Sequence, residues 1–86
     1  MEISVAPRFK KAFRRLPKII REKAKEKERI FKINPFDPRL ETHKLGGKYK
    51  DFWSFSIDRI YRIMFKFGTS MNEVIFINVG THEIYK

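Results

Sequence analysis

The apolar residues change their spacing partway along the chain, and the change separates a helical part from a strand-like part. Glu2–Val5 reads as a short first strand. Pro7 follows, and its fixed φ and missing N–H suit a first helical turn. Phe9, Ala12, Phe13 and Leu16 then recur at the three- and four-residue steps of one helical face, with Lys10, Lys11, Arg14 and Arg15 opposite. Pro17 interrupts, and a second helix resumes through Ile20, Ala24, Ile30 and Phe31. Its apolar stripe is thin, because Lys27 and Glu28 break the middle, so it should pack by its ends against the first helix as a hairpin. Asn34-Pro35-Phe36-Asp37-Pro38 ends it, since proline and the residue before it resist helical geometry.

From Arg39 to Asp51 the chain is polar, with Gly46-Gly47 as a turn and Leu40 and Leu45 as anchors to the core. After Asp51 the period becomes two. Trp53, Phe55 and Ile57 share one face, and Ser54, Ser56 and Asp58 the other. Tyr61, Ile63, Phe65 and Phe67 alternate with Arg62, Met64 and Lys66. Gly68-Thr69-Ser70-Met71-Asn72 is a hairpin connection to a last strand over about residues 73–79. There, Ile75, Ile77 and Val79 fall on one side and Val74, Phe76 and Asn78 on the other.

These patterns predict a single α+β domain over residues 1–86: strand–helix–helix–three strands, a small, mainly antiparallel sheet with a two-helix hairpin packed on one face. The apolar sides of the strands should face the helices. The opposite side should display Ser54, Ser56, Arg62, Asn78 and, if the alternation continues past Gly80, His82. A bulge at Gly80 would move His82 by one step.

Composition narrows the function classes. Eighty-six residues allow one small core, and nine Phe must fill it without help from disulfides, because there is no cysteine. Two histidines and no cysteine make a structural zinc site unexpected. No apolar run reaches membrane-spanning length and no secretory pattern opens the chain, so a cytoplasmic location and no membrane partner are expected. The net charge of +10 is concentrated: residues 8–32 hold twelve of the twenty Lys and Arg against only Glu22, Glu26 and Glu28. Such a field attracts polyanions at long range and weakens with salt. A solvated helical face has the same composition.

His43, Arg62 and His82 are the groups best suited to chemistry at a phosphate ester. RNA is cut without metal when a base takes the 2′-hydroxyl proton and an acid protonates the departing 5′-oxygen. Imidazoles, with an ordinary pKa of about 6.5, fit both tasks. A guanidinium fits the phosphate oxygens with paired, rigid donors. By spacing alone, an incidental loop histidine and an arginine paired with Asp58 fit these positions as well.

The ordered series Phe36-Asp37-Pro38, His43-Lys44-Leu45-Gly46-Gly47, Phe52-Trp53-Ser54, Tyr61-Arg62-Ile63 and Gly80-Thr81-His82 with Tyr85 resembles the RelE/ParE toxin superfamily. The resemblance spans essentially the whole chain and looks closest to the branch containing YoeB and YafQ. Those are small basic proteins that cut messenger RNA, usually in the ribosomal decoding site, and that a cognate antitoxin holds inactive. The resemblance implies His43 as general base, Arg62 at the scissile phosphate, His82 as general acid and Tyr85 near a C-terminal aromatic that orients a base or the backbone. The chain departs from RelE in carrying Trp53 and Phe55 where lysines are usual, and from YafQ in carrying Ser56 where a strand histidine is usual.

The implied protein is a type II toxin, an endoribonuclease (mRNA interferase) that uses neither metal nor cofactor. Its implied partners are messenger RNA, the ribosome with its RNA, and an acidic, partly disordered antitoxin. Lys10, Lys11, Arg14, Arg15, Lys18, Lys44, Lys48, Lys50 and Arg59 are the expected RNA contacts, which supply affinity and no base choice, and the helix cations could equally meet the antitoxin, which would act by covering the same surface. Phe52 is the expected exposed stacking ring, and Tyr61 is assigned to the core. The alternative is a ParE-like toxin that binds and inhibits DNA gyrase and cuts nothing, since fold alone does not separate the two.

Overall fold

The computed structural model describes residues 1–85; Lys86, the last residue of the expected domain, lies outside the described residues. The regular elements are β1 (Glu2–Val5), α1 (Pro7–Arg14), α2 (Lys18–Ile33), β2 (His43–Lys44), β3 (Trp53–Ser56), β4 (Arg62–Phe67) and β5 (Glu73–Gly80). Short 3₁₀ turns occupy Pro38–Leu40, Gly47–Tyr49 and His82–Tyr85. The five strands form one sheet in the order β1-β5-β4-β3-β2. β1 lies parallel to β5, and the other neighbours are antiparallel. A parallel pair needs a crossover, and the α1–α2 hairpin supplies it, which places both helices on one face.

This is the expected α+β architecture with one strand more. His43 and Lys44, read from the sequence as irregular connector, pair with Ser54 and Trp53. Two residues are too few to show a period. They become a strand only because β3 offers an open edge.

Phe31 of α2 is fully buried and central to the core. It stacks on Phe55 at 4.7 Å and meets Phe65 and Phe76 edge-on at 5.0 and 5.6 Å, the arrangements aromatic quadrupoles favour. Phe9, Leu16, Ile20 and Ala24 complete the helical contribution, and Leu40 pins the connector. Leu45, the second expected anchor, is only half-buried. Tyr61 packs against the core, as expected.

β5 departs from the simple alternation. Val74, Phe76 and Val79 join the core, whereas Ile75 and Ile77 are half-buried. Met64 pairs with Asn78 but Phe65 pairs with Phe76, so Ile77 is an extra residue without a partner on β4. One extra residue inverts which side each later side chain takes. The expected grouping of Ile75, Ile77 and Val79 on one face is therefore wrong, and the bulge falls at Ile77, not at Gly80. Among the described residues, no helix is long and apolar enough to cross a membrane.

Candidate active site

The cross-strand register sets two neighbouring rows on the sheet face away from the helices. His43, Ser54, Met64 and Asn78 align in one row, and Ser56, Arg62 and Gly80 in the next. Directly opposed residues point to the same side of a sheet. His43 and Arg62 therefore share this face, one row apart, on β2 and β4.

The face is less open than the sequence implies. Ser54, Met64 and Asn78 are buried, although the two polar residues were expected on display. The chain's C-terminal turn folds back onto Ser54. Tyr85 donates its hydroxyl to Ser54 Oγ at 2.6 Å, reaching from beside β5 across to β3. Its ring lies 6.3 Å from that of Tyr49, which in turn meets Phe52 at 6.1 Å. Phe52, expected to be exposed, is half-buried at the end of this ring series.

His82 does not continue the strand. The alternation stops at Gly80, and His82 opens a turn in which the Ile84 N–H donates to the Thr81 carbonyl at 3.0 Å. A Cβ on residue 80 would stand 2.9 Å from Ile84 Cγ2, so only glycine lets the turn sit this close to the sheet. The His82 side chain stays 69% exposed, with Nε2 3.7 Å from Glu83 Oε1. Its place is set by Gly80, which pairs directly with Arg62.

Arg62 is half-buried, and its Nε is wholly buried without a hydrogen-bond partner. Leaving a buried donor unsatisfied costs about 1–3 kcal/mol, and the accessible part of this half-buried guanidinium is where a ligand that brings an acceptor would meet it. The pairing with Asp58 that would make Arg62 incidental is not made. Asp58 accepts the amides of Ile60 and Tyr61 at 2.8 and 2.7 Å and lies 4.0 Å from Lys23 Nζ. Burial pushes its carboxyl up, but those amides and Lys23 outweigh burial and hold it below its ordinary value.

His43 Nδ1 lies 3.0 Å from the Glu41 carbonyl. A carbonyl only accepts, so Nδ1 carries the hydrogen of this bond and Nε2 is the acceptor of the neutral ring. Glu41 itself escaped the sequence analysis. It adopts a left-handed backbone with φ 52°, and its carboxylate accepts from Ser56 Oγ at 3.5 Å. Because Ser56 pairs with Arg62, this puts a carboxylate at the end of the Arg62 row. Nothing in the sequence marks it, for a glutamate in a polar connector looks solvated. Tyr49, whose ring meets that of Tyr85, was missed for the same reason, and Ser54 was read as a displayed polar residue with no role in holding Tyr85.

The expected RNA contacts scatter. Lys44, Lys48 and Lys50 are exposed around β2 and the turn after it, with Lys48 Nζ 5.2 Å from the Tyr49 ring. Arg59 borders a groove of about 480 Å³ that Lys23, Lys27, Arg39, Glu41 and Ser56 also line. Lys10, Lys11, Arg14, Arg15 and Lys18 are exposed in and just after α1, and of these only Lys11 and Arg15 line a cleft with Asn78. The far face thus gathers His43, Arg62, the His82 turn and Tyr85, and leaves most helix cations elsewhere.

No protein-family model matches the sequence, and no curated protein matches it either. Solved structures do. The YoeB/ParE toxin from Agrobacterium tumefaciens superposes with a TM-score of 0.79, covering 95% of this chain and 99% of its own at 20% identity. YafQ from E. coli gives 0.77, with 98% and 96% covered at 17% identity. The archaeal RelE–RelB complex from Pyrococcus horikoshii gives 0.73, with 93% and 92% covered at 17% identity. The class is therefore defined by architecture: this chain has the fold of the RelE/ParE toxins. Its neighbours include the YoeB- and YafQ-type members that the sequence resembles.

Proposed function

We propose that this chain is the toxin of a type II toxin–antitoxin pair, and that it cuts messenger RNA on the ribosome by metal-independent acid–base catalysis in the cytoplasm. The observation that supports this most is the buried, unpartnered Arg62 Nε, on a strand position whose partner Gly80 leads within two residues to His82. A phosphate oxygen is the acceptor such a guanidinium lacks.

In this scheme His43 Nε2 takes the proton of the 2′-hydroxyl, and the 2′-oxygen attacks the adjacent phosphorus. Arg62 holds the non-bridging oxygens as charge builds on them. The P–O5′ bond breaks, and the protonated His82 ring gives its proton to the leaving oxygen. The products are a 2′,3′-cyclic phosphate and a free 5′-hydroxyl. Tyr85, tied to Ser54, keeps the His82 turn against the sheet. Three structural neighbours are toxin–antitoxin complexes, DinJ–YafQ of E. coli, RelE–RelB of Pyrococcus horikoshii and RelBE2 of Mycobacterium tuberculosis, which supports an antitoxin partner here. A net charge of +10 suits an acidic one.

The test is to map cuts on a translated message, with and without ribosomes. Intact protein should cleave in the presence of a chelator, and His82→Gln should slow cleavage by about 10²–10⁴-fold. Undiminished cleavage by that variant would remove His82 from the mechanism. Growth arrest with DNA damage and intact messenger would replace the scheme with gyrase inhibition.

A further inference from the structure

The cations of α1 do not form one uniform surface. Phe9 and Phe13 pack toward the core and divide the helix into two flanks at helical spacing. Lys10 and Arg14 lie on one flank. Arg8, Lys11 and Arg15 lie on the other, where with Ala12 and Asn78 they line an open cleft of about 340 Å³.

The cleft exists because β1 is shorter than β5. β1 ends at Val5 opposite Phe76, and the Ala6 N–H donates to the Phe76 carbonyl at 2.9 Å as the chain turns into α1. β5 continues to Gly80, paired with β4, so beyond Phe76 only its β1-side edge lacks a strand partner. Asn78 sits at this uncovered edge. Its Oδ1 accepts from the Val79 amide at 2.9 Å, which leaves the NH₂ group as a donor.

The lining offers donors almost alone: two guanidiniums, an ammonium and an amide NH₂. Among the described residues, no carboxylate pairs with Arg8, Lys11 or Arg15. Three like charges around one cleft repel each other until an anion enters. Ala12 is the only apolar lining residue, so the cleft lacks the apolar centre of a protein-docking surface. None of the exposed large apolar residues, Met1, Ile19, Ile33, Phe36, Ile60 and Met71, lines it. A phosphodiester chain fits this chemistry better than an acidic peptide.

Asn78 belongs to the row of His43, Ser54 and Met64, beside the row of Arg62 and Gly80. We infer that the Arg8–Lys11–Arg15–Asn78 cleft is a backbone subsite that binds phosphates of the RNA strand flanking the cut, so that the strand passes from Arg62 over β5 to α1. This rests on the nuclease reading for its register, though the cleft's binding can be measured apart from cleavage.

The experiment compares two double variants that remove equal charge from the same helix, Lys11→Gln/Arg15→Gln and Lys10→Gln/Arg14→Gln. All four side chains are exposed, so both variants should fold. Binding of single-stranded RNA made uncleavable by 2′-O-methyl groups is followed by fluorescence anisotropy across a salt series. The cleft pair should weaken binding at least tenfold and reduce the slope of log affinity on log salt by about 1–2, near 0.7 per lost phosphate contact. The opposite pair should cost threefold or less. On cleavable RNA the cleft pair should act on KM more than on kcat. Equal losses from the two pairs would reduce the cleft to a share of the general field and overturn the inference. So would a poly-glutamate peptide showing the same preference, which would assign the cleft to a protein partner. If the intact chain cuts no RNA yet the tenfold difference in binding stands, the nuclease reading fails and the cleft remains.

Discussion

Ser54, Met64 and Asn78 on the far face of the sheet are almost as withdrawn from water as Phe55, Ile63 and Val79 beneath the helices. Different forces bury them. Under the helices, Phe31, Phe55, Phe65 and Phe76 touch at ring separations of 4.7 to 5.8 Å. Each buried phenyl ring contributes about 1.5–3 kcal/mol and needs no directional partner. On the far face, one 3₁₀ turn closes onto Ser54, held by a hydroxyl pair and the close fit at Gly80. A hydrogen bond of that kind contributes only about 0.5–1.5 kcal/mol. By these magnitudes stability is concentrated beneath the helices, and the face that holds the imidazoles is expected to open first. Elements that open locally are where binding and closure are accommodated in folded proteins.

That contrast can be broken at its strong side first. Phe31→Ala should cost about 3–5 kcal/mol in urea denaturation, out of roughly 4–13 kcal/mol for a chain of this length. A loss below about 1 kcal/mol would mean that the core is not centred on this ring. On the weak side, His43→Gln should slow cleavage by about 10²-fold and leave the unfolding midpoint in place, since the ring is exposed. Glu41→Gln, one row away, should change the rate by less than about threefold, because its role is confined to the backbone turn and the Ser56 contact. The reverse ranking would move the base from the imidazole to the carboxylate.

Tyr85→Phe should cost about 0.5–1.5 kcal/mol and slow cleavage several-fold, and Ser54→Ala should do the same. Combining the two should add little to either alone, as a double-mutant cycle would show. Additive losses would mean that the turn is held by something other than this hydroxyl pair. The smallest effect belongs to Asp37, half-buried where it caps the Pro38–Leu40 turn. Arg39, through its guanidinium and its amide, holds the Asp37 carboxyl at about 2 against an ordinary 3.8. A depressed carboxyl stabilises the fold above its unfolded value and loses that contribution as pH falls through the folded one. Asp37→Asn should therefore lower the midpoint slightly above pH 4, and the difference should vanish toward pH 2 and shrink in salt. A gap that grows on acidification would contradict this pairing.

The helix pair and the three long strands were legible because each buries one face, and local geometry repeats that face every 3.6 or 2 residues. Phe9, Ala12, Phe13 and Leu16 announce α1, and Trp53, Phe55 and Ile57 announce β3, whatever lies elsewhere in the chain. Residue types, the strand alternation and the family resemblance together nominated His43, Arg62 and His82 as candidates, since few side chains transfer protons or hold phosphate near neutral pH. The two-residue β2 and the bulge at Ile77 were not legible, because both are answers to a neighbouring strand.

The sequence by itself determined the fold class, the helix-facing core and the kinds of groups available for chemistry. Tertiary structure alone decided that Tyr85 crosses to Ser54, 31 residues away, and that Glu41 meets Ser56, 15 residues away. It alone left Arg62 Nε buried without a partner and split the α1 cations between a cleft and an open flank. Periodicity is a property of consecutive residues, whereas register, cover and cleft arise where distant segments meet, and no local spacing encodes that meeting.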